Sequence, residues 1–126
     1  MSLIVQAFVV EDDGTERDLD PPKPGGNFAG FEQWRTTVWG SAAVQALGAY
    51  WFPLLASGNQ FTVPPDAVPE LLEECALLRT HLDAIAPQGN QSHTREWYID
   101  GISEHLSNIE AVAEQALHAG GGVYFW

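Results

Sequence analysis

The chain has 126 residues, 45% of them apolar, and its 17 carboxylates against five lysines and arginines give a formal net charge of −12. That length supports a single globular domain, 1–126, with a core that needs neither metal nor cofactor, and one cysteine cannot form an internal disulfide. A surface of this sign repels phosphate backbones and anionic lipid, so neither nucleic acid nor a membrane is an expected partner, whereas a basic protein would be drawn to it.

The opening stretch MSLIVQAFVVEDDG lacks a basic segment, and nowhere do eighteen apolar residues follow one another, so no signal peptide or membrane span is expected. With its lone cysteine, the chain reads as cytoplasmic. Leu3 to Val10 is rich in β-formers and stops at an Asp-Gly pair, which predicts a hairpin with TERDL as the weaker return strand. The Pro/Gly-rich segment from Asp20 to Gly30 then reads as a long connection, either a lid or a slack linker.

From Phe31 the pattern turns helical, with Phe31, Trp34 and Val38 on one face until Gly40. Ser41 is placed to cap a second helix along Val44, Leu47, Trp51 and Leu54, which Pro53 should kink and Gly58 should end. QFTV before Pro64 is a short edge-strand candidate. Two further stripes share one helical period. Leu71, Cys75, Leu78, Leu82 and Ile85 follow a cap at Asp66 and end at Pro87, and Ile102, Leu106, Ile109, Ala113 and Ala116 end at Gly120. They predict an antiparallel helical pair, with Gly101 weakening any extension of the second helix toward REWYI.

After Gly120 the chain can turn back, and VYFW reads as a strand pairing with LIVQAF. Val123 and Phe125 face one side, Tyr124 and Trp126 the other. The expected fold is therefore α+β: a small antiparallel sheet, its N-terminal hairpin paired with the C-terminal strand, packed with three or four helices. If helices cover only one face, an aromatic patch that includes either Phe125 or the pair Tyr124 and Trp126 is left for a partner.

Most catalytic chemistries lack their residues. His81, His93, His105 and His118 lie twelve or thirteen positions apart, not at the three or four that place two ligands on one helix face, so no metal is expected. Cys75 falls on an apolar stripe, and no glycine-rich phosphate loop or nucleophile elbow is present. Glu32 beside Trp34 is the one candidate general acid/base, because a carboxylate against tryptophan in a dry pocket can hold its proton, but a second acid is not identifiable. Glu110 and Glu114 repel at i, i+4 near the negative end of a helix dipole, with only His118 close enough in sequence to relieve them.

In size, charge and aromatic content the chain resembles small acidic single-domain bacterial proteins, among them immunity proteins that block a toxin by covering it. No motif carries the resemblance, which implies a non-catalytic domain that binds a basic protein. The candidate contacts are Glu110, Glu114, Trp34, Trp39, Tyr124 and Trp126. A small hydrolase using Glu32 and an obligate homodimer are the alternative readings.

Overall fold

The computed structural model describes residues 2–126. Strand β1 (Ser2–Val10) is the spine of an antiparallel sheet, and its alternation sends Leu3, Val5 and Ala7 into the core. The predicted hairpin forms: Gly14 adopts φ 86° in the turn, and β2 (Glu16–Asp18) returns along the far end of β1. On its other side β1 pairs with β5 (Gly122–Phe125), with Val5 opposite Phe125 and Ala7 opposite Val123. The strand β4 (Phe61–Val63) then pairs with β5, giving the order β2-β1-β5-β4.

The glycine-rich connection is not wholly irregular. Its end forms β3 (Phe28–Phe31), which pairs with the beginning of β1 across a register shift, on the same edge that β2 occupies further along. The helix expected from Phe31 is correspondingly absent. Only one wide turn forms, Arg35–Trp39, closed by a bond from the Gly40 amide to the Arg35 carbonyl. Thr36 and Thr37, poor helix formers, direct their hydroxyls to the Gln33 carbonyl.

Ser41 does cap a helix, accepting from the Val44 amide, but α1 (Ala42–Ala46) stops before Gly48, whose φ is 89°. Pro53 therefore lies not inside a helix but in the first turn of a 3-10 helix, Phe52–Ser57, where its missing amide costs nothing. Gly58 ends it as expected, at φ 77°.

Helix α2 (Val68–Thr80) begins without a side-chain cap, because Ala67 rather than Asp66 stands at the capping position. It breaks at His81, and the stripe continues in the short α3 (Leu82–Ile85). The long helix α4 (Arg95–Ala119) is capped by Thr94, which accepts from the Trp97 amide, and ended by Gly120 at φ 71°. It runs without a break through Gly101. Helices α2 and α4 pack together and α4 lies against the sheet, around a core that includes Leu71, Leu78, Leu106, Ile109, Val123 and Phe125.

The opposite sheet face is only partly covered. Tyr124 is half-buried there and donates to Asp18 Oδ2 at 2.8 Å, while Trp126 is 52% exposed. Burial, reinforced by the Asp18 carboxylate, pushes the Tyr124 phenol up to about 12.

Candidate functional site

A run of ring contacts crosses the molecule. It passes from Phe31 to Trp34, Trp39, Phe52, Phe125 and Phe61, each step between 5.1 and 6.4 Å. At the Phe61 end the rings are buried or half-buried in the sheet. At the Phe31 end they open into a cleft between β3 and the first half of α4.

Trp34 forms the cleft floor and is 2% exposed. Two glycines let it sit there. A Cβ at Gly30 would lie 2.6 Å from its Cε3 atom and one at Gly101 would lie 3.2 Å from its Cη2 atom. Gly30 also holds φ 121°, which side chains other than hydrogen rarely allow. Gly101, which reads in sequence as a weakness of the helix, is the point where α4 has no side chain and the indole fits against it.

Above the floor, Phe31 and Trp97 lie nearly parallel, 6.1 Å apart and 17° between planes, and both are exposed. They separate two hollows. One, of about 220 Å³, is lined by Gln33, His93 and Tyr98, with His93 stacked on Trp97 at 3.6 Å. The other, of about 270 Å³, is lined by Asp100, Gly101, Glu104 and His105. His105 stands edge-on to Trp34 at 5.3 Å and its Nδ1 meets the Phe28 carbonyl at 3.3 Å, a contact that fixes the ring. Asn108 donates to the same carbonyl at 2.9 Å, tying α4 to β3. Among the described residues Asp100 and Glu104 form no ion pair.

The six contacts read from sequence are dispersed. Trp34 belongs to the cleft, whereas Trp39 is 0% exposed and donates from Nε1 to the Ala29 carbonyl at 2.8 Å; as a core residue it offers no surface to a partner. Tyr124 and Trp126 lie on the outer sheet face. Glu110 is not an unneutralised charge: Arg79 of α2 reaches it at 2.6 Å and also donates to Ser103 and Ser107. The sequence could not supply this cation because it comes from a different helix. Glu114 stays exposed, with His118 bonded to its backbone carbonyl and not to its carboxylate.

Changing Glu110 and Glu114 together to Gln is therefore expected to lower stability, by about 1–2 kcal/mol, since the lost charge-assisted bonds outweigh the relieved repulsion. A thermal melt should show a midpoint a few degrees lower. An unchanged or raised midpoint would mean that the Arg79 contact is energetically idle.

Two other acids have structural surroundings. Glu32 is exposed and bonded at 2.6 Å to the buried Arg35, so it does not sit in the dry pocket expected around it. Glu74 is buried on α2 and accepts from the amides of Tyr50 and Trp51, holding the start of the 3-10 helix. Burial pushes its carboxyl up, against the opposing pull of those amides. Burial likewise pushes the Cys75 thiol up, reinforced by Glu110 and Glu74, which makes it a poor nucleophile. Among the described residues no three His, Cys, Asp or Glu side chains converge as a metal site, and no helix is long and apolar enough to cross a membrane.

The chain matches no protein-family model, no curated protein and no solved structure. The functional reading therefore rests on the cleft itself. Sequence periodicity holds one signal for it: Trp97, Gly101 and His105 recur at i, i+4 and i+8, a second stripe on α4 beside the apolar one.

Proposed function

We propose that the protein is a non-catalytic acidic domain that binds a basic protein, with the cleft of Phe31, Trp34 and Trp97 as its docking surface. The observation that carries this reading is an exposed aromatic pair bordered by two carboxylates without ion-pair partners among the described residues, on a chain of net charge −12. Apolar rings that leave water on contact supply slow dissociation, and the surrounding negative field supplies fast encounter. Covering a basic toxin, in the manner of a bacterial immunity protein, is the specific form of this reading, in a reducing compartment such as the cytoplasm.

The alternatives have less support. A hydrolase built on Glu32 would need a desolvated acid, and Glu32 is exposed and ion-paired. A homodimer through the cleft would bring two acidic borders together, and the mass in solution reads its presence directly.

The test uses the full chain and a Phe31→Ala/Trp97→Ala variant as baits in parallel, after melts establish that both fold. A basic protein held by the first bait, released by salt and absent from the second is the expected result. Its purified form must then bind the full chain and not the variant. Identical recoveries on both baits would remove the cleft from the binding surface.

A further inference from the structure

We propose that the acidic hollow of the cleft takes the guanidinium group of an arginine side chain from the partner. This rests on the protein-binding reading above and names the chemistry of its central contact. The hollow measures about 270 Å³, below the roughly 300–1,000 Å³ of sites for drug-sized ligands, a size that suits one inserted side chain.

Three features of the hollow select a flat cation. Phe31 and Trp97 are 43% and 37% exposed, Trp97 with His93 stacked on one face, and the negative face of an aromatic ring attracts positive charge. Gly101 carries no side chain and the Trp34 indole packs against it, so the floor between Trp97 and His105 is ring and backbone, which a planar group can approach. Asp100 and Glu104, one helical turn apart, repel each other with no cation between them among the described residues. A cation placed there relieves the repulsion.

Arginine fits better than lysine for a geometric reason. Its guanidinium carries donors in a rigid fork that can reach a carboxylate with two parallel bonds while its plane stacks on an aromatic ring, and it is more weakly hydrated than an ammonium. A lysine would meet the same carboxylates as a strongly hydrated point charge. The neighbouring hollow, lined by Gln33, His93 and Tyr98, lacks a carboxylate and does not share this preference.

The experiment titrates three capped tripeptides, Gly-Arg-Gly, Gly-Lys-Gly and Gly-citrulline-Gly, into the full-length protein at equal ionic strength, with the NMR signals of the Gly101 amide and the Trp97 indole N–H as the readout. Citrulline keeps the shape of arginine and removes its charge. Saturable shifts with the arginine peptide, weaker binding of the lysine peptide and none of the citrulline peptide are expected. Asp100→Asn with Glu104→Gln should weaken the arginine peptide about tenfold, while Glu114→Gln on the same helix should leave it unchanged. No saturable shift, equal binding of lysine or citrulline, or an indifferent double variant would each overturn the arginine assignment. The two proposals fail separately. A partner that still binds the Asp100/Glu104 variant but not the Phe31/Trp97 variant removes the arginine and keeps the docking surface, whereas a partner indifferent to both removes the docking surface itself.

Discussion

Deletion of Val123–Trp126 is expected to abolish cooperative unfolding. The deleted residues form nearly all of β5, which lies between β1 and β4, so their loss takes backbone partners from both neighbours. Val123 and Phe125 are essentially fully buried, and Phe125 stacks on Phe61 at 5.2 Å and meets Phe52 edge-on at 6.4 Å. Exposing these side chains and opening the sheet removes several kcal/mol at about 25 cal/mol per Å² of apolar area, a large share of the roughly 5–15 kcal/mol that holds a typical domain. A melt followed by circular dichroism should show a broad slope in place of a transition. Phe125→Ala alone should fold with a loss of about 3–5 kcal/mol. A truncated chain that unfolds cooperatively at the full-length temperature would sink the central role of β5.

Trp39→Ala is expected to cost about 3–5 kcal/mol, the range for emptying a buried aromatic site. Trp39 lies between Trp34 and Phe52 in the ring contacts and its indole nitrogen satisfies the Ala29 carbonyl in β3. Removing it leaves a cavity behind the cleft floor and an unpaired carbonyl in the strand that presents Phe31. Trp39→Phe keeps most of the ring and should cost less, because it loses mainly the bond and part of the packing. Urea midpoints of the three proteins measure the order. If Trp39→Ala unfolds at the native midpoint yet weakens a partner, the residue belongs to the surface and the core assignment fails.

The strand β5 and Trp39 mark different degrees of legibility in the sequence. The pairing of LIVQAF with VYFW could be read from alternation and β-propensity, because a strand's two faces repeat every second residue. Trp39 could not be assigned in the same way. A tryptophan after a helical-looking run is compatible with a partner contact or with the core, and its burial depends on Phe52 and Ala29, which the chain brings to it from either side. The error at Phe31 has a similar origin: three apolar residues at helical spacing match a short helix, but pairing with β1 claims Phe31 for a strand, and Thr36 and Thr37 weaken the helical turn beyond it.

What the sequence alone determined is the set of features governed by near neighbours. The Asp-Gly hairpin, the caps at Ser41, Gly58 and Gly120, and the two apolar stripes of α2 and α4 all depend on φ preferences, hydroxyl acceptors or side-chain spacing within a few residues. Only the tertiary structure decided the rest. Arg79 neutralises Glu110 from 31 positions away, Glu74 holds amides 23 and 24 positions away, and Gly101 becomes a seat for Trp34 from the other half of the chain. Charge and ring contacts act over a few ångströms in space with no regard for separation along the chain, so the paired acids and the cleft of Phe31, Trp34 and Trp97 exist only once the sheet and the helices have met, although Asp100 and Glu104 are neighbours on α4 by spacing alone.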